Sequence, residues 1–351
     1  MNKARECFMS EKLRAVLVGC GSISKAWLTP IGQFDDVEIV GLVDVKSENA
    51  EQARDNFELW QAEVGDSLPT MLARQKPDVV FDCTVPEAHA EVTLGALAAG
   101  AHVLGEKPMA ASMTQARRMV AAAEQADRIC AVIQNRRYMD NIVAFRQAIA
   151  DGLAGRLHTL TGDFYVGAHF GGFREAMQHV LILDMAIHTF DQARYISGQD
   201  PLSVYCHDWN PAGSWFRHGA SAAAIFEMSD GMVFRYQGSW CAEGMNTSWE
   251  GEWRAIGDRG TVLWDGRDRI AGERPSRREG LISPVEGFSR PVDTGLTLHG
   301  HAAIIREFLD CVRDGGRPQT DCRDNIKSLA MVHAAIESAE SGRKVAVEAI
   351  R

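Results

Sequence analysis

Residues 14–24 read RAVLVGCGSIS: an apolar run ending in Gly19, a second glycine at Gly21, and Ser24 where a third glycine would complete GxGxxG. A short apolar run closed by glycine predicts a buried strand, and the stretch after it reads as a helix. In a strand–turn–helix the first glycine permits the tight turn. The second lets backbone approach a pyrophosphate at the helix N-terminus, and the third position governs helix–strand packing. Ser24 adds only a small side chain there, with Ser22 and Ile23 on the same turn. The plainer alternative is a tight turn at Gly21 that binds nothing.

Outward from this segment the same signal repeats in VEIVGLVDV (37–45), DVVFDCT (78–84), HVLGE (102–106) and CAVIQN (130–135). Helix-like stretches at 48–57, 89–99 and 114–125 lie between them. Strands alternating with helices predict a parallel, doubly wound sheet whose ligands bind beyond the carboxyl ends of the strands. Asp44, at the end of the second strand, suits adenosine ribose hydroxyls, the alternative being a helix cap. Its carboxylate would repel a 2′-phosphate, which favours NAD. Lys46 could neutralise such a phosphate and keeps NADP as the alternative.

Two further segments invite chemistry. In VLGEKPM (103–109), Glu106, Lys107 and Pro108 stand at the carboxyl end of the fifth strand. They read either as a strand terminator with two solvated charges, or as a fixed cation that stabilises charge developing on a substrate oxygen. In LDMAIHTFD (183–191), Asp184, His188 and Asp191 fall on one narrow stripe of an ideal helix, with Leu183, Ala186, Ile187 and Phe190 on a separate core face. The spacing alone fits a solvated stripe as well as an active site.

Composition narrows the classes. The length of 351 residues predicts two domains, and 46% hydrophobic with 24% charged residues is ordinary for globular chains. A net charge of −10 argues against a nucleic-acid partner, and the basic cluster at 274–278 reads as a loop, with phosphate binding as the alternative. Eight cysteines without a CxxC pair, several in apolar runs, fit reduced thiols and a cytoplasmic location. MNKARECFMSEK lacks the apolar segment of a signal or anchor, and no membrane association is expected. His169, His179, His188 and Asp184 invite a metal reading, but no ligand motif supports one and no metal is expected.

VLVGCGSIS, CTVPEAH (83–89), AAGAHVLGEKPMA (98–110), LDMAIHTFD, EFLDCVRDG (307–315) and AIESAESGRKV (335–345) occur in the order found in the Gfo/Idh/MocA oxidoreductases, which the chain resembles over nearly its whole length. The resemblance implies an α/β chain with an N-terminal Rossmann domain (11–136) and a C-terminal α+β domain (137–351) with a large, mostly antiparallel sheet. The final helices are candidates to pack back on the first domain. It implies NAD(P)-dependent oxidation or reduction of a sugar, sugar derivative or cyclic polyol. By the resemblance Lys107 matches the catalytic lysine, His188 the catalytic histidine and Asp184 a substrate-binding aspartate. Thr84, Pro86, His89, Glu106 and Lys107 match positions lining the nucleotide, and Asp191 supports the helix. The Lys107–Pro108 bond is expected to be cis. Where relatives often carry a glycine pair before the DxxxH helix, this chain has REAMQHVLILD (174–184), which makes Arg174 and His179 candidate substrate-specificity groups. A dinucleotide-binding sensor without turnover, and a dehydrogenase of a non-sugar such as a dihydrodiol, are the competing functions.

The second half alternates differently. GMVFRYQGSWC (231–241) and SWEGEWRAIG (248–257), with LHTLTGDFYV, LSVYCHDWN and AAAIFEM, predict antiparallel strands. One face should pack on the helix carrying Asp184 and His188. The other, including a Trp249/Trp253 row, is expected to bury a homodimer or homotetramer interface. The Gly/Pro-rich 266–295 region reads as a mobile excursion.

Overall fold

A computed structural model describes residues 11–349, so the N-terminal reading and Cys7 lie outside the described residues. The chain divides into two compact units: residues up to Ile133 with Ile305–Cys322, and Gln134–Ile304 with Arg323 onward.

In the first unit the strands are β1 (Leu13–Val18), β2 (Val37–Val43), β3 (Glu63–Gly65), β4 (Val79–Asp82), β5 (His102–Gly105) and β6 (Cys130–Val132). They pair in parallel in the order β3-β2-β1-β4-β5-β6, the strand order of a Rossmann sheet. The helices between them are α1 (Ser24–Ile31), α2 (Ser47–Asn56), α3 (Leu68–Gln75), α4 (Pro86–Ala98) and α5 (Met113–Ala126). Ala15, Val16, Leu17, Val79, Val80 and Phe81 are all fully buried, as strands covered on both faces require. Sequence periodicity does not reveal β3 and α3, because three residues are too few to alternate and α3 buries only Met71 and Leu72. The late segment joins this unit through Phe308, which meets Phe81 at 6.3 Å, and through Val132 N–H donating to Thr320 O at 3.1 Å.

The second unit holds α6 (Asp140–Ala150), β7 (Leu157–Tyr165), α7 (Ile187–Ser197), β8 (Pro201–Trp209), β9 (Ser221–Met228), β10 (Val233–Ser239), β11 (Glu252–Gly257), β12 (Thr261–Trp264), β13 (Ile270–Pro275) and β14 (Val285–Arg290). Helix α8 (Gly300–Asp314) lies mostly in the first unit's Ile305–Cys322 segment, and α9 (Cys322–Ser341) precedes β15 (Val345–Ala346). Nine strands form one sheet in the order β14-β13-β12-β11-β7-β10-β9-β8-β15, antiparallel except where β7 meets β10. The inner face packs on α7: the Phe190 ring lies edge-on to Phe226 at 4.8 Å and to Tyr236 at 5.3 Å. Truncating a fully buried phenylalanine of this kind costs about 3–5 kcal/mol.

Three expectations are corrected here. Residues 266–295, expected as a mobile excursion, contain β13 and β14, which pair from Ile270–Arg290 to Pro275–Val285 and belong to the sheet. β14 is the edge strand and β13 its neighbour, with side chains mostly half-buried or exposed, so neither strand carries the alternation a buried face imposes. The basic cluster expected in a loop begins at the end of β13 with Arg274 and Pro275. The Trp249/Trp253 row does not exist: Trp253 is 2% exposed on the inner face, stacked on Phe234 at 6.0 Å, while Trp249 precedes β11 and is 49% exposed.

Candidate active site

The glycine turn follows directly from β1. Gly19 has φ +87°, and a Cβ there would lie 2.6 Å from the Cys83 carbonyl oxygen, so only glycine fits. Its N–H donates to Val43 O at 2.8 Å, and Cys20 N–H donates to Asp44 Oδ2 at 2.8 Å, tying the turn to the end of β2. Gly21 is the opposite case: no atom lies within 4 Å of where its Cβ would sit, so its backbone faces open space. Ser24 is buried at the third glycine position, and its hydroxyl donates to Gly21 O at 2.7 Å. A serine therefore fits there with its polar atom satisfied. Ser22 and Ile23 are exposed, α1 has no side-chain cap and no acidic residue in its first turn. An uncapped helix start beneath an open glycine suits the pyrophosphate of a dinucleotide.

Asp44 is half-buried. Besides Cys20 it accepts from Lys46 N–H at 2.9 Å and from Asn49 Nδ2 at 3.2 Å. These bonds hold one carboxylate at the tip of β2 and leave lone pairs for ribose hydroxyls.

At the end of β4 stands a residue that pattern reading missed. Asp82 is fully buried and accepts from Thr84 N–H at 3.0 Å and Thr84 Oγ1 at 2.6 Å, with His89 Nδ1 at 2.9 Å. Its signal is a carboxylate inside the apolar run DVVFDCT. This network fixes the 83–85 turn, and Pro86 opens α4 at a position its fixed φ suits. His89, assigned to the nucleotide by resemblance, is 1% exposed and shapes the turn from below. Glu106 is likewise enclosed, at 8% exposure: Oε1 accepts from Trp27 Nε1 at 2.8 Å and Oε2 from Lys107 N–H at 3.1 Å. Both carboxylate oxygens thus hold the strand end that presents Lys107, which is half-buried. The Lys107–Pro108 bond is cis.

In the second unit, Leu181–Ala186 forms a π-helical turn that continues into α7. Such a turn is wider than an α-turn, so the narrow stripe of an ideal helix does not hold. Leu183, expected on the core face, is half-buried beside Asp184, and His188 is also half-buried. Asp191 is 1% exposed and separated from them in environment. It receives Arg137 Nη2 at 2.6 Å and Nε at 2.7 Å, with Ser328 Oγ at 2.8 Å. Arg137 was not singled out from the sequence, because its partner lies 54 positions away.

Arg174 and Asp184 are brought together: Arg174 Nε donates to Asp184 Oδ2 at 2.8 Å. His179 is not at that pair's hydrogen bond. Its Nδ1 meets Asp208 Oδ2 at 2.5 Å and its Nε2 meets Glu340 Oε1 at 3.3 Å. The Asp208 hydrogen bond raises the His179 pKa above the usual histidine range, against the effect of burial. His169 stacks on Trp215 at 3.8 Å and bonds Glu243, so His169 and His179, both weighed as metal ligands, have other partners.

Two family models match the chain. The oxidoreductase family with an NAD-binding Rossmann fold (GFO/IDH/MocA) covers residues 13–134, and the GFO/IDH/MocA C-terminal domain covers 142–263. The chain belongs to the Gfo/Idh/MocA oxidoreductase family. It is an NAD-binding member of the dehydrogenase and reductase class. It is similar to a D-apiose dehydrogenase of Paraburkholderia graminis, 26% identical over 97% of this chain and 91% of that protein. It is 25% identical to a myo-inositol 2-dehydrogenase of Thermotoga maritima over 96% of this chain and 99% of that one. An oxidoreductase from Agrobacterium radiobacter, solved in complex with NAD+, L-tartaric acid and magnesium, shares the fold with a TM-score of 0.86 at 22% identity, covering 96% and 98% of the two chains. The Gfo/Idh/MocA assignment agrees with the parallel and mostly antiparallel sheets described above. Among the described residues no helix is long and apolar enough to cross a membrane.

Proposed function

We propose that the protein is an NAD-dependent dehydrogenase or reductase of a carbohydrate or polyol hydroxyl, with Lys107, Asp184 and His188 as its working side chains. The observation that carries this reading is the half-buried Asp184–His188 pair on a π-turned helix start, in a chain that also presents Lys107 from the end of β5. A bound dinucleotide would supply the acceptor for the hydride that leaves the carbinol carbon. His188 takes the hydroxyl proton as the carbonyl forms, Lys107 hydrogen-bonds the same oxygen, and Asp184 holds a neighbouring hydroxyl. Gly19, Gly21, Ser22 and Ile23 form the pyrophosphate turn. Asp44 takes the ribose hydroxyls and favours NAD over NADP. Thr84 and Pro86 border the nucleotide, with His89 positioning their turn and Glu106 positioning Lys107. Arg174 and His179 shape the substrate side.

The test is His188→Asn. Turnover should fall by about 10²–10⁴-fold with NAD affinity nearly unchanged. A variant with normal turnover, or one that only lowers the melting temperature, would sink this assignment.

The same reading includes a cytoplasmic protein and a homodimer or homotetramer through the sheet. Seven free cysteines among the described residues suit a reducing compartment. For the oligomer the support is the outer face of the sheet. One register row crosses it through Tyr205, Ile225, Arg235, Thr161, Arg254 and Leu263, with Tyr205 47%, Ile225 51% and Leu263 40% exposed. Light scattering at micromolar concentration would show a monomer if this face is merely solvated.

A further inference from the structure

A neutral polyol needs only hydrogen-bonding partners around Asp184, yet two arginines stand there. Arg174 lies on the short turn Gly172–Ala176, and one edge of its guanidinium is fixed by the Nε bond to Asp184. Its Cζ also lies 5.2 Å from the Phe170 ring centroid and 5.0 Å from that of Phe173. A guanidinium has five N–H donors, and only the Nε one is engaged here. Nη1 and Nη2 have no hydrogen-bond partner among the described residues, and the side chain is 36% exposed. Ion pair and rings together orient the fork before any ligand arrives, so little rotamer freedom remains to be lost on binding.

Arg136 supplies the second charge. Its Nη1 donates to Trp249 O, and its Nη2 reaches Met185 Sδ at 3.6 Å, one residue beyond Asp184. Burial lowers its pKa to about 10, with Glu250 and Asp184 acting in the opposite direction, so it stays protonated at neutral pH. Asp184 therefore interacts with two cations, with Arg174 through a hydrogen bond and with Arg136 through its charge.

We propose that Arg174 recognises a substrate carboxylate, and that the substrate is a polyhydroxy carboxylate such as an aldonate or uronate. This rests on the dehydrogenase reading above. The carboxylate takes the Nη1–Nη2 edge in the two-point geometry that a planar fork offers, while a neighbouring hydroxyl meets Asp184. A dianionic phosphate fits less well, because it would sit beside the Asp184 carboxylate with one open cation edge to balance it.

The experiment is calorimetric titration with NAD present, comparing gluconate, galactonate and glucuronate with the matching neutral sugars, alditols and sugar phosphates, alongside NADH absorbance. Wild type should bind at least one acid about tenfold or more tighter than its neutral counterpart. Arg174→Gln should weaken that acid by about 10- to 100-fold, the loss of a hydrogen bond to a charged group, and the neutral compound far less. Arg174→Lys retains the charge for Asp184 and guards against misfolding. It should recover only part of the loss, since an ammonium lacks the fork. Equal binding of acid and neutral partners, an equal loss for both in Arg174→Gln, tighter binding of the phosphates, or no binding by any acid overturns the proposal. NADH formed from the neutral compounds alone would do so while leaving the dehydrogenase reading intact. Arg174-dependent acid binding without NADH from any compound would keep the proposal and reject that reading instead.

Discussion

The two glycines of the β1 turn should respond to the same small perturbation in opposite ways. In Gly19→Ala the new Cβ would lie 2.6 Å from Cys83 O, 2.7 Å from Cys83 C and 2.8 Å from Thr84 N, all backbone atoms, at φ +87°. The left-handed conformation costs about 1–2 kcal/mol, and forcing the ends of β1 and β4 apart adds about 1–3 kcal/mol. The sum, about 2–5 kcal/mol, is a large share of a stability of about 5–15 kcal/mol. At about 2–4 °C per kcal/mol the melting temperature should fall by about 4–20 °C. In Gly21→Ala the Cβ meets nothing within 4 Å, so stability should change by less than about 0.5 kcal/mol. That methyl would occupy the space through which a pyrophosphate approaches the backbone. Loss of one charge-assisted hydrogen bond weakens binding by about 10- to 100-fold. Scanning calorimetry and NAD titration on both variants separate the effects. Gly21→Ala binding NAD as tightly as wild type, or Gly19→Ala melting unchanged, would refute the reasoning.

Asp191→Asn should destabilise the second unit by about 3–5 kcal/mol, because it strips the bidentate carboxylate from a buried arginine; denaturant unfolding measures it. A loss under about 1 kcal/mol would mean that Asp324, at 3.3 Å from Arg137, suffices. The His179 pKa is raised on folding, so its contribution to stability is complete below the unfolded value near 6.5 and disappears as pH rises through the folded one. Melting curves across that window should show the slope in wild type and not in His179→Asn, a residue that tolerates the φ of +49° found there.

Much of the first unit was legible because its signals are local. Buried parallel strands must be continuous apolar runs, and a helix between two of them must show the 3.6 period, so five of its six strands and the glycine turn stood out in the residues themselves. The EKP and DxxxH segments were legible as motifs, and the second gained its meaning from company rather than from spacing. What stayed hidden shares a physical cause. Asp82 looks like an interruption of a strand until Thr84 and His89 close around it. Trp253 could sit on either face of β11 until Phe234 stacks on it, because a period of two fixes which residues share a face and not which face is inside.

The sequence by itself determined the Rossmann alternation, the need for glycine at position 19, and the identity of the residues with chemistry to offer. Tertiary structure decided their partners. Asp184 and Asp191 are both helix aspartates seven positions apart, yet one shares a half-exposed arginine and the other is sealed with Arg137, Ser328 and Asn325. The π turn between Leu181 and Ala186 breaks the register that would have kept them on one stripe. A buried carboxylate needs charge and hydrogen bonds brought from distant elements, and local periodicity holds no record of which distant residues will supply them.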